Sequence, residues 1–256
     1  MNLISDSPLL QVEQLSIQHG AQMILEPFDW VVQTGERWAI LGANGAGKTS
    51  ILHALLGIHA PSAQKIRLNG HKLNTMSVRQ QAELRMWVPQ RYEEPFTLTV
   101  AQALNCMTDD LNQEAADLIL KQYGLFERAH HWVHTLSGGE RQRLTWAMSA
   151  ARLTAKTQLW LLDEPFAAQD LAWQDTLLKY LDSAPCAVIA AVHDLNQVSQ
   201  FATHVLLIKK NVNQSAQVIK AGTLDEVMQI DILSQAYGVQ LNYLQAEQGC
   251  WWQVES

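Results

Sequence analysis

Hydrophobic and polar positions change period several times along this chain, and each change marks an element. Leu10, Val12, Leu15 and Ile17 alternate loosely with polar residues, the pattern of a half-buried strand. His19-Gly20 reads as a turn and residues 23–32 as more strand, with Pro27 pointing to a sheet edge because proline donates no ladder hydrogen bond. Thr34-Gly35-Glu36 turns into Arg37-Trp38-Ala39-Ile40-Leu41, an apolar run short enough for a buried strand. A glycine-rich stretch follows, then helical spacing from Ser50 to Leu56, then a loop at Pro61-Ser62-Ala63. Lys65-Ile66-Arg67-Leu68 alternates and ends in Asn69-Gly70, a hairpin signal.

Helix is expected over 77–83 and strand over 84–88, running into Pro89-Gln90. From about 99 to 153 the pattern is nearly all helical, with segments at 100–107, 114–123 and 139–152. Buried strands return at 158–162 and 186–192, separated by a helix over 171–181. A helix ends over 199–203, and 205–208 is strand. Residues 211–217 read as a polar turn, and Ala221-Gly222-Thr223 as the lead into a helical tail. Buried strands alternating with helices predict an α/β fold with a mostly parallel sheet. The expected organisation is an α/β core built around that glycine-rich stretch, with an N-terminal antiparallel β subdomain (about 1–94 and 158–221). An inserted helical subdomain occupies about 95–157 and a tail about 222–256.

The chemistry centres on Gly42-Ala43-Asn44-Gly45-Ala46-Gly47-Lys48-Thr49, between a predicted strand and a predicted helix. Glycines let the backbone turn its N–H groups inward, and a helix N-terminus adds positive potential, so such a loop cradles a polyphosphate. Lys48 would meet β- and γ-phosphate oxygens, and the Thr49 hydroxyl would bind Mg²⁺. Ligands of parallel sheets bind at the carboxyl ends of the strands, where Gln90, Asp163, Glu164 and His193 also fall. Asp163 suits a Mg²⁺ contact, and Glu164 beside it can deprotonate an attacking water. Gln90 can bind Mg²⁺ or water through its amide oxygen, and His193 can stabilise charge on a γ-phosphate. A second glycine-rich stretch, Leu136-Ser137-Gly138-Gly139-Glu140, opens a helix and can also hold phosphate. Two phosphate-binding elements in one chain suggest a site completed by a second copy.

The whole set resembles the ATP-binding-cassette (ABC) ATPase family, over about residues 9–225. Gly42 to Thr49, with Ser50 after it, is similar to its Walker A, Gln90 to its Q-loop, and Leu136 to Glu140 to its signature. Leu159 to Asp163 resembles Walker B, Glu164 the catalytic glutamate, Asp170 the D-loop aspartate and His193 the switch histidine. The resemblance implies ATP and Mg²⁺, and a head-to-tail homodimer with ATP between one copy's Walker A and Ser137, Gly138, Gly139 and Asp170 of the other. It implies Mg²⁺ at Thr49, Gln90 and Asp163, and catalysis by Glu164, His193, Gln90 and Lys48. Two departures stand out. His19 occupies the place where the family stacks an aromatic ring on adenine. The D-loop reads Ala167-Ala168-Gln169-Asp170, without the usual serine and leucine.

Composition narrows the setting. The 256 residues carry a net charge of −7, which argues against nucleic-acid binding as the main activity. Three cysteines, far apart, show no zinc or disulfide spacing. No run approaches the ~20 apolar residues of a membrane span, and Met1 to Asp6 does not open a signal peptide. The expectation is a cytoplasmic chain held at the inner face of the membrane by permease subunits, and served indirectly by a substrate-binding protein. Nine tryptophans leave room for some to face a partner. The alternatives are the ATPase subunit of an ABC transporter for another substrate, or a soluble non-transport cassette acting on ribosomes or DNA, although relatives of the latter kind carry two cassettes or long insertions. Trp87-Val88-Pro89-Gln90, Phe96-Thr97-Leu98-Thr99-Val100, His193-Asp194-Leu195-Asn196 and the tail at Tyr237-Gly238 resemble importer ATPases for iron–siderophore, haem and cobalamin. The region from Gln90 to about Trp132 is expected to dock a permease helix.

Overall fold

The computed structural model describes residues 7–58, 65–90, 97–107, 111–167, 169–211, 215–246 and 249–254. The predicted loop at Pro61-Ser62-Ala63, the start of the Phe96 motif and Ala168 lie outside them. The first strands are β1 (Leu10–His19), β2 (Gln22–Val32) and β3 (Arg37–Leu41), followed by helix α1 (Lys48–Leu55). Strands β4 (Ile66–Leu68) and β5 (His71–Lys72) form the predicted hairpin, turned by Asn69 and Gly70, both at positive φ. Helix α2 (Val78–Leu84) leads into β6 (Arg85–Val88). The helical region holds α3 (Val100–Asn105), α4 (Gln113–Gln122) and α5 (Gly138–Ala150). Then follow β7 (Leu159–Asp163), α6 (Leu171–Asp182), β8 (Ala187–Val192), α7 (Leu195–Phe201) and β9 (His204–Lys210). The chain closes with β10 (Ala216–Thr223), α8 (Leu224–Val227), α9 (Ile230–Tyr237), β11 (Leu241–Ala246) and β12 (Gly249–Val254).

Ten strands form one sheet in the order β5-β4-β1-β2-β10-β9-β3-β8-β7-β6. From β9 to β6 the neighbours are parallel, and from β5 to β2 they are antiparallel. The central strands read as continuous apolar runs because both faces are covered. Along β8, Ala187, Ile189 and Ala191 join the core under α1, β1 and β2, while Val188, Ala190 and Val192 join the core under the helical region and the tail. Strand β7 splits the same way, with Leu159 and Leu161 on one face and Trp160 and Leu162 on the other.

Several expectations need correction. Strand β2 is interior, lying between β1 and β10, so Pro27 does not mark an edge. The register against β1 steps from Leu15↔Phe28 to Ile17↔Leu25, which leaves an unmatched residue at Glu26-Pro27. A bulge is the other place in a sheet where a missing N–H costs little. The polar turn expected to end at 217 gives way at Ala216, where β10 starts and pairs antiparallel with β9. The tail is not wholly helical, since β11 and β12 pair as a hairpin from Leu241↔Val254 to Ala246↔Gly249. The helical region is also less continuous than its pattern, with only single short turns between α4 and α5. Helix α7 stops at Phe201 rather than 203.

Candidate nucleotide site

The loop between β3 and α1 needs its glycines for particular reasons. Gly45 and Gly47 have φ of 72° and 93°, in the left-handed region where a side chain is strained. Gly42 is constrained by space, since a Cβ there would stand 2.6 Å from the Ile208 carbonyl oxygen on β9. Lys48, the first residue of α1, is buried and turns its ammonium back across the loop. Its Nζ donates to the carbonyls of Gly42 (2.8 Å) and Ala43 (3.2 Å). Burial lowers the Lys48 pKa, while the nearby Glu164 and Asp163 carboxylates work to raise it. Ala43, Asn44 and Gly45 are exposed at the loop's crest, whereas Ala46 is packed beneath it and Ser50 is half-buried in α1.

Parallel strands bring the acidic residues to this loop. Thr49 Oγ1 donates to Asp163 Oδ2 at 2.9 Å, joining the start of α1 to the end of β7. Asp163 is buried, which pushes its carboxyl above its ordinary pKa against the lowering effect of the Thr49 bond. Glu164 follows in the left-handed conformation (φ 46°), with its N–H bonded to the Ala191 carbonyl of β8 at 3.0 Å. A non-glycine residue held there stores local strain, of the kind that clusters at functional sites. The turn sends the Glu164 side chain toward Gln90, whose Nε2 donates to Glu164 Oε2 at 2.5 Å. A cleft of about 320 Å³ opens beside it, lined by Glu164, Phe166, Gln174, Val192, His193 and Gln197. His193 is exposed, one residue past β8.

Lys48, Thr49, Gln90, Asp163, Glu164 and His193 therefore gather at one sheet edge, as the sequence pattern implied. Gln174 and Gln197 share that cleft and had no sequence signal, because no motif marks a glutamine on a helix. His19 ends β1, exposed, in the β1–β2 hairpin whose Ile24 borders Gly47. Ser137, Gly138 and Gly139 open α5 in the helical region. Ser137 Oγ accepts from the Glu140 N–H (3.2 Å), and Glu140 Oε2 accepts from the Ser137 N–H (2.8 Å). That reciprocal cap fixes the helix start while leaving Ser137 and Gly138 exposed. Asp170 caps α6 by accepting from the Trp173 N–H at 2.8 Å, and Gln169 Nε2 reaches the Gly139 carbonyl at 3.4 Å.

A phosphate loop facing a buried carboxylate and a second acid on a strained turn defines a P-loop nucleotide-binding protein. Comparison with known proteins narrows the class. The ABC transporter family matches residues 25–167, and the chain belongs to that family. It is 34% identical over 244 residues to the iron(3+)-hydroxamate import ATP-binding protein FhuC of Bacillus subtilis, covering 90% of this chain and 88% of the relative. It is 33% identical to the hemin import ATP-binding protein HmuV of Roseobacter denitrificans, covering 91% of each. Among solved structures, one described as a metal-chelate type ABC transporter in an inward-facing conformation superposes with a TM-score of 0.75. That similarity is at 25% identity and covers 97% of both chains. ATP binding and transport-coupled ATP hydrolysis follow from the family.

Proposed function

We propose that this chain powers a membrane importer of a metal chelate, of the iron–siderophore, haem or cobalamin kind. The observation that carries the reading is the reach of the similarity to iron(3+)-hydroxamate and hemin import subunits. It covers 90% and 91% of the chain, and so extends beyond the residues that the family match spans.

In this reading the β- and γ-phosphates of ATP lie in the loop from Gly42 to Thr49, met by backbone N–H groups and the α1 N-terminus. Lys48 turns its ammonium from the Gly42 and Ala43 carbonyls to the phosphate oxygens. His19 covers adenine, and Ser50 extends the phosphate contacts into α1. The Thr49 hydroxyl and the Asp163 carboxylate, 2.9 Å apart, with the Gln90 amide oxygen make an all-oxygen set that fits Mg²⁺. Mg²⁺ held there would neutralise charge on the β- and γ-phosphates. Glu164 accepts the proton of the attacking water, with Gln90 orienting its carboxylate. His193 donates to the γ-phosphate as charge develops. Ser137, Gly138, Gly139 and Asp170 of a second copy close the site from the far side, which makes the working unit a homodimer.

No helix among the described residues is long and apolar enough to cross a membrane, so the reading assigns the membrane path to permease subunits. A groove of about 450 Å³ between the core and the helical region suits their docking helix, being lined by Leu56, Ile58, Arg85, Trp87, Met107 and Met148 among others. The groove draws mainly on the residues just after α1, on α2, β6 and α5. Of the expected stretch from about Tyr92 to Trp132, only Met107 lines it among the described residues, 91–96 and 108–110 lying outside them. Arg85 ties the groove to the C-terminal end of α1, the helix that starts at Lys48. Its guanidinium donates to the Leu55 carbonyl at the end of α1 and to Gln81 Oε1 (2.6 Å), and burial pushes its pKa down to about 10.

The test is growth and uptake. A strain lacking the gene should lose uptake of a ferric hydroxamate or hemin, restored by the wild-type gene and not by Lys48→Ala. Unchanged chelate uptake with lost sugar or amino-acid uptake would overturn the cargo class.

A further inference from the structure

The C-terminal hairpin reaches α7, the helix whose Gln197 lines the cleft beside His193. The backbone N–H of Trp252, on β12, donates to Asn196 Oδ1 at 2.8 Å. Asn196 lies in the first turn of α7, three residues after His193. Its own N–H is bonded to the side chain of Asp194, the cap of that helix, at 2.8 Å. The start of α7 is thus gripped twice, once from its own cap and once from the far end of the chain.

The grip has a physical reason. Helix α7 has seven residues, too few to persist without tertiary support. On one side of His193 stands β8, fixed by parallel ladders to β3 and β7. On the other side α7 holds the chain, through Val198 and Phe201 buried in its later turn, and through Leu195 packed on the main core and the Asn196 bond in its first. The tail around that bond is itself anchored. Leu233 of α9 and Leu241 of β11 are buried in the main core, and Trp252 and Tyr237 pack against it. Lys209 Nζ on β9 donates to the Gln235 carbonyl at 2.7 Å. Gln197, the neighbour of Asn196, lines the same cleft as His193 and Glu164, so a shift of this turn moves two cleft residues.

From these contacts we infer that Asn196 is a positioning residue for ATP hydrolysis, through which the C-terminal hairpin fixes the placement of His193 and Gln197. The inference rests on the reading of His193 as a γ-phosphate contact. A side-chain oxygen suits the task because it accepts the Trp252 N–H directly. Asn196 itself touches neither phosphate nor water in this scheme. Its loss should therefore leave nucleotide binding in place and slow the chemical step.

The test uses the full chain, with steady-state ATPase kinetics and backbone amide exchange on wild type, Asn196→Ala, Asn196→Asp, His193→Ala and the His193→Ala/Asn196→Ala double variant. Misplacement of a reacting group by about 1 Å can cost on the order of 10²-fold in rate, and a partly held turn should cost less. Asn196→Ala should lower kcat about 10-fold with KM changed less than about twofold, and should speed exchange of the Trp252 amide. Asn196→Asp keeps an acceptor oxygen and should restore both the rate and the protection. In the His193→Ala background, Asn196→Ala should add little, because coupled residues are not additive. Unchanged kcat in Asn196→Ala, or a fall that Asn196→Asp does not rescue, overturns the inference. If His193→Ala itself leaves kcat unchanged, the His193 reading fails instead. Should Asn196→Ala not fold, Asn196→Asp with a wild-type melting curve but a 10-fold lower kcat would also count against it, and wild-type kinetics would sustain it.

Discussion

Gln90 and Glu164 stand 74 positions apart in the chain, yet Gln90 Nε2 donates to Glu164 Oε2 at 2.5 Å. The bond crosses from the loop after β6 to the strained turn after β7, two strands that lie side by side. It aims one carboxylate oxygen and leaves the other available to a water.

Glu164→Gln should therefore keep the shape of the site and lose the proton acceptor. Positioned general bases contribute on the order of 10²–10⁴ in rate, and hydrolysis should fall by that factor while ATP still binds. The trapped state should be a dimer, seen by light scattering with ATP and Mg²⁺. Adding Ser137→Arg should abolish it, because the exposed Ser137-Gly138 face is the proposed lid over the partner's nucleotide. Near-normal hydrolysis by Glu164→Gln would remove Glu164 as base.

Lys48→Ala should abolish measurable ATP turnover and sharply weaken ATP binding, read by fluorescent-nucleotide titration. The buried ammonium donates to the Gly42 and Ala43 carbonyls and lies near the Asp163 and Glu164 carboxylates, so its removal leaves a small void and takes a cation away from Asp163. The far-ultraviolet circular dichroism should stay that of the folded protein. Wild-type turnover would sink the assignment.

Gly42→Ala should destabilise the fold as well as the site. The new methyl would meet the Ile208 carbonyl oxygen at 2.6 Å and Ile208 Cγ1 at 2.7 Å, and β9 is an interior strand that cannot step aside. Overpacking of this kind costs about 1–3 kcal/mol, measured as a shift in the urea midpoint. A midpoint equal to wild type would show that the loop does not press on β9.

The cap of α5 gives a pH dependence. The Ser137 backbone and hydroxyl bonds, with Arg128 nearby, hold the Glu140 carboxyl below its ordinary pKa of 4.5. A carboxyl with a lowered folded-state pKa contributes stability that is present above about pH 4.5 and lost as pH falls through its lower folded value. Glu140→Gln preserves the reciprocal cap and should cost only a few tenths of a kcal/mol, flattening that acid loss. Glu140→Ala removes the cap and should cost about 1 kcal/mol at neutral pH. Urea unfolding of the three proteins between neutral pH and pH 3.5 measures both effects.

Much of the site was legible before any fold was known. Gly42 to Thr49 declares a phosphate cradle because turn geometry, helix start and a lysine are all local requirements. Asp163 and Glu164 were marked by the apolar run before them, since carboxylates seldom follow four buried residues without a task. Gln174 and Gln197 escaped notice because nothing in their own neighbourhood distinguishes them. Their role comes from the walls of a cleft that four separate segments build.

What the chain determined alone is whatever depends on a few consecutive residues. That covers the strand runs, the Asn69-Gly70 turn, the caps at Ser77, Thr99 and Ser137, and the phosphate loop. What only the tertiary structure decided depends on which strands become neighbours. Pro27 sits in an interior strand because a bulge absorbs it. Residues 216–223 become strand because β9 and β2 offer ladders on either side of a segment too mixed to predict. The tail folds back as a hairpin onto α7, where the Trp252 amide finds Asn196, 56 positions away. Hydrophobic period encodes local conformation, but hydrogen-bond partners in a sheet are chosen by packing across the chain, and no short window of sequence contains them.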